Sequence, residues 1–392
     1  MAVVFSIAIS QILLGGAMAA LFFGRVPIRL PRISLPLGLF IVGTLIAWGF
    51  SPDRHVGLSQ VKKIYLYLSL PVIYTTFRYA RRAVAYLVSV AAATAIMAGL
   101  GCAQYVHKMQ QAHAAGKSFY EFYLEARITG LQHHWMTFSD QELFGLLIVG
   151  AWLFYAPKQK KQWNWVAIAA GALVSLALVL AETRGIWIAG FFAAIYLMWF
   201  WRRLYAMLLP VAAVIAVLLA PSTIQERVIS IWHPHAGYTD SNAFRLVCWR
   251  TGLRMIEAHP LVGVGPDMQG VRFYDYVPPD VPWPLPTGFY GHLHNVYIQY
   301  AADRGVPTML MMVWMLIMII VESARKLKKL PPGRSYERFI LHTAIACTIG
   351  AMISGWSDYN LNYGVVIPMF LAIAASASIV VEEKNADEPA RA

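Results

Sequence analysis

Long apolar runs separated by short polar stretches make up most of the amino-acid sequence. A membrane-spanning helix needs about 20 mostly apolar residues, and the pattern predicts eleven such segments. They are residues 2–23, 34–50, 60–77, 83–106, 138–156, 163–181, 185–201, 204–220, 296–322, 337–356 and 363–381. The third run is the least regular, because Lys62 and Lys63 interrupt its start. The pattern therefore predicts an all-α polytopic membrane protein.

Two polar connections are long enough to hold structure of their own. Residues 221–295 lie between predicted spans 8 and 9, and residues 107–137 form a smaller connection. Residues 242–258 have helical periodicity and are followed by His259 and Pro260, which predicts a helix that ends there. A second short helix is predicted near residues 118–125.

Composition supports a membrane protein. Hydrophobic residues make up 58% of the 392-residue chain and charged residues only 13%, which is unlike a soluble domain of this size. We predict one membrane domain over residues 1–381 and a disordered tail over 382–392. Three cysteines are widely separated, and Cys102 and Cys347 lie inside apolar runs, which argues against a disulfide framework.

The net charge of +12 would suggest a nucleic-acid partner if the protein were soluble. In a membrane protein it reflects basic residues in cytoplasmic loops instead, so we expect no nucleic acid. Alternate loops hold 17 of the 32 basic residues. These are Arg25, Arg29, Arg32, Arg78, Arg81, Arg82, Lys158, Lys160, Lys161, Arg202, Arg203, Arg325, Lys326, Lys328, Lys329, Arg334 and Arg338. The positive-inside rule predicts that these loops are cytoplasmic, with the N-terminus outside and the C-terminal tail inside.

Residues suited to chemistry converge on the opposite, outer side. They are Arg127, His133 and His134 in the first long connection, Glu182 and Arg184 in a tight turn, Arg245 on the predicted loop helix, and His292, His294 and Asn295 before the ninth span. Ionisable groups at such a junction keep access to water while they face lipid-borne substrates. Arginines beside imidazoles favour an anionic, lipid-linked substrate.

Arg184 and Arg245 each have two interpretations. Arg184 either binds an anion or is an interfacial arginine that pairs with Glu182. Helical phase groups Leu246, Trp249, Leu253 and Ile256 into an apolar stripe, with Arg245 at its border and Arg250 and Arg254 on the far, solvated side. We therefore predict that Arg245 points toward the membrane domain. There its planar guanidinium suits a diphosphate, although an ion pair with a carboxylate is the alternative.

The histidines also have a structural alternative. His294 precedes a helix that carries Asn295, Gln299 and Asp303 on one face. A histidine near its ordinary pKa can take a proton from a hydroxyl nucleophile, but a lone histidine is more often a polar interface residue. The His-x-His spacing could hold a metal, yet no acidic or cysteine companion is evident, so we predict none. His342 is interpreted as an interhelical hydrogen-bonding residue, and Asp358 and Asn360 as caps of a span end.

These motifs together resemble the O-antigen ligase/polymerase family of bacterial envelope glycosyltransferases. The resembling segments are residues 127–134, 182–185, 244–265 and 292–305, in the family's order and with its long loop before the penultimate spans. The resemblance implies a GT-C-like membrane fold in the bacterial inner membrane, with the active site facing the periplasm. Family ligases commonly have twelve spans and a cytoplasmic N-terminus, whereas the pattern here predicts eleven.

The resemblance also implies a reaction. Family members take a glycan from undecaprenyl diphosphate and pass it to an acceptor hydroxyl, which is lipid A-core in ligases, a glycan in polymerases and a protein hydroxyl in other relatives. Ligases are thought to invert configuration without a metal or other cofactor. His294 then corresponds to the catalytic base, with His292 as the other candidate. Arg184 and Arg245 correspond to the diphosphate-holding arginines, and Arg127, His134, His292 and Asn295 are predicted to bind substrate.

Two other classes remain open from the residues. A lipid-linked sugar transporter would show ionisable residues at mid-span and broken helices. A non-catalytic envelope scaffold would leave the outer arginines and histidines replaceable. The clustering of charged residues at span ends favours the glycosyltransferase, with ligase as the first choice and polymerase as the alternative.

Overall fold

The computed structural model describes residues 2–116, 119, 122–123, 126–229 and 241–380. Two predictions therefore lie outside the described residues: the short helix near 118–125, apart from a few of its positions, and the tail over 382–392. Part of the long connection, residues 230–240, also lies outside them.

Within the described part, the regular secondary structure is entirely helical. The α-helices are α1 Ala2–Phe5, α2 Ile7–Phe23, α3 Ser34–Gly49, α4 Arg54–Lys62, α5 Ser69–Thr76, α6 Ala80–Ala114, α7 Trp135–Tyr155, α8 Lys161–Leu180, α9 Arg184–Trp201, α10 Arg203–Leu218, α11 Ser222–Ile229, α12 Ser241–Ala258, α13 Met268–Val271, α14 Val296–Arg304, α15 Val306–Lys329, α16 Tyr336–Ser354 and α17 Val366–Ile379. Each apolar run that predicted a span contains at least one of them, which confirms the all-α prediction.

Three of the predicted spans are divided. The first breaks at Ser6, which is extended and caps α2. The third is α4, a 3-10 turn over Lys63–Leu68 and α5, and the ninth is α14 and α15 on either side of Gly305. Gly305 has φ +81°, and a side chain there would collide with the carbonyl group of Leu261. This close approach explains why a continuous apolar pattern is bent at that point.

Four helices among the described residues are long and apolar enough to cross a membrane: Ala80–Ala114, Lys161–Leu180, Arg184–Trp201 and Val306–Lys329. Four shorter apolar helices accompany them: Ile7–Phe23, Ser34–Gly49, Arg203–Leu218 and Val366–Ile379. The protein is thus a polytopic membrane protein. The total of eleven or twelve spans, the GT-C-like arrangement and the single domain over 1–381 stay predictions.

Helices α7 and α16 form the centre of the bundle. They pack on each other, with α6 and α8 against α7, α15 and α17 against α16, and α9 against both. Their buried faces include polar side chains, among them Asp140, Glu142 and His342. The His342 Nδ1 atom lies 2.9 Å from the Tyr196 hydroxyl of α9, and its ring stacks on Tyr155 with centroids 3.7 Å apart. These contacts confirm the interhelical role predicted for His342.

The predicted site segments meet at one end of the bundle. The Ser139 hydroxyl near the start of α7 lies 3.0 Å from the Thr183 hydroxyl before α9. At the same end, the Tyr297 hydroxyl of α14 donates to the Met352 carbonyl near the end of α16, at 2.7 Å. The far ends of α7, α9 and α16 adjoin the basic loops, where Arg334 donates to the Phe154 carbonyl at 3.1 Å. The fold therefore separates the candidate residues from the arginine- and lysine-rich loops.

Candidate active site

A tight turn before α14 holds two imidazoles side by side. The backbone N–H of His294 donates to the Nδ1 atom of His292 at 3.2 Å, and the two ring centroids are 3.9 Å apart. His294 has φ +51°, a left-handed conformation that is uncommon for a residue with a side chain. Such conformations persist only where the surroundings hold them, and they cluster at functional sites.

Asn295 holds this turn in place through the hydrogen bonds of its side chain. Its Oδ1 atom accepts from the backbone N–H groups of Tyr297 and Ile298, at 3.0 Å and 3.1 Å, and so caps α14. Its Nδ2 atom donates to the carbonyl of Trp356 at 3.1 Å. The residue is fully buried. The geometry makes Asn295 a support for the histidines, and the substrate-binding role predicted for it stays a prediction.

The hydrogen bonds assign the proton positions on the two rings. The Nε2 atom of His294 lies 2.9 Å from the carbonyl oxygen of Phe289. A carbonyl only accepts, so this nitrogen carries the proton and Nδ1 keeps the lone pair. In neutral His292, Nδ1 accepts from the backbone, so Nε2 carries the proton. The pair thus offers an acceptor nitrogen on His294 and a donor nitrogen on His292.

Both imidazoles are held in the neutral form. Burial, followed by the neighbouring His134 and Arg245, lowers the pKa of His292 to about 4. Burial, followed by His292 and Arg245, lowers the pKa of His294 to about 2. The ordinary value is near 6.5, so at physiological pH the His294 lone pair is available to accept a proton.

These shifts predict that acid destabilises the fold. The folded-state pKa of each histidine lies below its unfolded value, so the unfolded chain binds protons first as the pH falls. The contribution of each histidine to the free energy of unfolding is therefore complete above pH 6.5 and is lost as the pH falls toward 4. One such histidine contributes a loss of about 2 kcal/mol between pH 7 and pH 5. We expect the unfolding temperature in detergent to fall over this range, and to fall less in His292→Gln. The exposed His55→Gln is the control, and an equal fall in all three proteins would contradict the prediction.

Arg245 reaches the histidines from α12. It acts electrostatically on both His292 and His294, and its guanidinium carbon lies 5.7 Å from the centre of the Phe244 ring. The Phe244 ring meets the His294 ring edge to face at 5.0 Å. The structure thus places Arg245 where its charge acts on the imidazole pair.

The apolar stripe predicted for this helix was wrong. Leu246 and Leu253 are 57% and 49% exposed, and the buried face carries Phe244, Val247, Cys248, Thr251 and Met255 instead. Gly252 gives the physical reason. A side chain there would run into Ile298 and Leu293, so α12 and α14 approach each other closely on the face that contains this glycine. Large leucines on the other side do not fit this contact.

Arg250 and Arg254 lie on the exposed side, as predicted. Arg250 forms an ion pair with Asp280 at 2.7 Å, in which both side chains are largely exposed. Arg254 donates to the carbonyl of Val277 at 2.9 Å. Both contacts join α12 to residues 277–280 of the long connection, and neither arginine is part of the histidine cluster.

Arg184 begins α9 and is connected to the loop helix. It is buried, and its Nη2 atom donates to the Oδ1 atom of Asn242 on α12 at 2.8 Å. The preceding turn contains Glu182 at φ +50°. Asn242 was not among the predicted site residues, and its polarity at the start of a predicted helix was the one signal for it.

Arg127 and His134 line the neighbouring part of this end. Arg127 donates to the carbonyl of Glu182 at 3.5 Å, and its guanidinium lies 5.1 Å from the centre of the Trp135 ring. His134 caps α7, where its Nδ1 atom accepts from the N–H of Met136 at 3.1 Å. It also acts electrostatically on His292. The structure therefore groups Arg127 with the Glu182 turn and His134 with the histidine pair.

Comparison with known proteins agrees with this geometry. Residues 169–313 match the family model described as O-antigen ligase. The matched stretch runs from α8 into α15 and contains Arg184, Arg245, His292 and His294, while Arg127 and His134 precede it. No curated protein matches the chain. The segment that carries the histidine pair and its two arginines, residues 169–313, is thus similar to the O-antigen ligase family, which supports the superfamily that the motifs predicted.

Proposed function

We propose that the protein is a glycosyltransferase of the bacterial inner membrane that moves a glycan from undecaprenyl diphosphate to an acceptor hydroxyl. The observation that carries the proposal is the meeting of Arg245 with the His292–His294 pair at the end of the bundle away from the basic loops. The match to the O-antigen ligase family adds a lipid-linked glycan as the expected substrate class. Our first choice is an O-antigen ligase with lipid A-core as acceptor, in lipopolysaccharide biosynthesis.

The arginines suit the donor's diphosphate. A guanidinium binds phosphate oxygens through two parallel hydrogen bonds and keeps its charge at every physiological pH. Arg245 and Arg184 reach this end from two different elements, and Asn242 joins Arg184 to the helix that carries Arg245. A diphosphate is already a good leaving group, so the enzyme chiefly has to position it and stabilise the charge that develops on it.

His294 then acts on the acceptor. The Nδ1 lone pair takes the proton from the acceptor hydroxyl as its oxygen forms a bond to the anomeric carbon of the donor. The bond between that carbon and the phosphate oxygen breaks, and undecaprenyl diphosphate leaves with both electrons. One displacement inverts the anomeric configuration. The pKa of His294 rises when the anionic diphosphate binds, because a nearby negative charge favours the imidazolium.

The location follows from charge. The basic loops at the far ends of α7, α9 and α16 favour the cytoplasm, which supports a periplasmic position for the histidine cluster. No ATP is available there, so the activated bond has to arrive on the lipid donor. The proposed reaction needs no cofactor.

A transfer assay with the purified protein in membranes or detergent tests the function. Undecaprenyl-diphosphate glycan is supplied with lipid A-core, and the products are separated by size. Glycan on lipid A-core would support the ligase. Chain extension from the lipid-linked glycan alone would make the protein a polymerase, and transfer only to a protein serine or threonine would make it a protein glycosyltransferase. Movement of the donor across vesicles without any transfer would replace the proposal with a transporter.

A further inference from the structure

A pair of buried aspartates lies next to the candidate site. Asp140 comes from α7 and Asp358 from the connection between α16 and α17, and both are essentially inaccessible to solvent. Their side chains hydrogen-bond each other. Asp358 also interacts electrostatically with Arg245, which in turn acts on both histidines. The pair was not predicted from the sequence, where Asp358 was interpreted only as a cap.

The hydrogen bonds around the two aspartates leave one oxygen of each carboxyl group without a donor among the described residues. Asp140 Oδ1 accepts from the Ser354 hydroxyl at 3.1 Å, and Asp358 Oδ1 accepts from the Tyr363 hydroxyl at 2.8 Å. The Oδ2 atom of each aspartate is buried and has no donor among the described residues. Two ionised carboxylates cannot donate to each other, whereas one proton between them satisfies both oxygens.

The surroundings indicate which aspartate keeps the negative charge. Asp358 accepts from Tyr363 and from the backbone N–H of Tyr359, and it faces the positive charge of Arg245. Asp140 is hydrogen-bonded by the side chains of Ser354 and Asn360, both of which are neutral. Burial raises the pKa of Asp358 to about 6, and Arg245 acts in the opposite direction. The proton therefore belongs on Asp140.

We propose that Asp140 and Asp358 share one proton, and that the single negative charge of the pair positions the Arg245 guanidinium for the donor diphosphate. The second half of this statement rests on the proposed function, and the first half does not. Asp140 is then a positioning residue: it donates to Asp358, which in turn holds Arg245. The charge count also fits, because a singly charged pair balances one guanidinium, whereas two buried carboxylates would repel each other.

Infrared spectroscopy tests the shared proton without any substrate. A protonated carboxyl has a C=O stretch that is separate from the carboxylate bands. We expect Asp140→Asn to lose one such band relative to wild type, and Asp140→Asn/Asp358→Asn to show no further loss. A second loss in the double variant would mean that both aspartates are protonated. No loss in either variant would mean that neither is protonated, a loss only in the double variant would put the proton on Asp358, and each of these results would overturn the proposal.

Binding of undecaprenyl diphosphate tests the positioning. Asp140→Leu leaves Asp358 without its donor, so we expect binding to weaken by about tenfold or more. Asp140→Asn keeps an N–H donor toward Asp358 and should recover most of that loss. The positioning role would be refuted if Asp140→Leu and Asp140→Asn weakened lipid binding equally. It would also be refuted if both variants bound the lipid as well as wild type. If wild type does not bind the lipid at all, the proposed function fails while the infrared result still decides the shared proton.

Discussion

Replacing His294 by alanine is expected to lower the rate of glycan transfer by about 10²- to 10⁴-fold, the contribution typical of a general base. The reason is the assigned lone pair: Nε2 is committed to the Phe289 carbonyl, so Nδ1 is the atom that accepts the hydroxyl proton. Donor binding should change much less, because the diphosphate is held mainly by arginines. The loss should therefore appear in kcat more than in KM.

The measurement is transfer at equal expression for wild type, His294→Ala and His292→Ala, with the exposed His55→Ala as a matched control. His292→Ala should lose less than His294→Ala, because its Nδ1 atom is occupied by the backbone N–H of His294. A larger loss for His292→Ala would assign the base to that residue. Full activity in His294→Ala would refute the proposed site.

Replacing Arg245 by alanine is expected to reduce transfer by about 10²- to 10³-fold, the typical cost of removing one charge-stabilising donor from an active site. The guanidinium lies close enough to both histidines to affect them electrostatically, so its loss removes the cation nearest the proposed base. Arg245→Lys should recover little of the activity, because an ammonium group cannot form the two parallel hydrogen bonds of a guanidinium.

Arg254→Ala is the control for this experiment. Arg254 lies on the same helix and donates to the Val277 carbonyl on the exposed side, so its removal tests α12 without removing the cation of the site. We expect it to retain most of the activity. Equal losses in Arg245→Ala and Arg254→Ala would indicate that α12 is required only as a structural unit. Full activity in Arg245→Ala would exclude a role in holding the diphosphate.

The helices could be predicted from the sequence because a membrane helix needs a long apolar run and nothing more specific. The breaks could not. Gly305 interrupts the ninth predicted span, and it does so because the backbone at Leu261 approaches it closely. That contact joins the span to the long connection, so no local pattern contains it.

The site could be predicted in part. His294 and Arg245 were found because they lie, with the other candidate arginines and histidines, on the predicted outer side, opposite the loops that hold most of the basic residues. The buried face of α12 was predicted wrongly because a membrane protein also exposes large apolar side chains. Hydrophobicity alone therefore does not identify which face of a helix is buried. Asp140 was overlooked because its partner, Asp358, is more than two hundred residues away, and only the packing of α7 against α16 brings the two together.

The length of α6 has a consequence for the membrane itself. Its 35 residues span about 52 Å, whereas the hydrocarbon core of a bilayer is about 30 Å thick. Gln104 lies near the point where the apolar part of the helix gives way to a polar one, and there it accepts from the backbone of Thr129 and Gly130 at 3.0 Å and 2.9 Å. The segment that carries Arg127 is thereby fixed to α6 at that depth. A thicker or thinner bilayer changes the tilt of a long helix, so we expect the position of Arg127 to respond to the lipid composition of the host membrane.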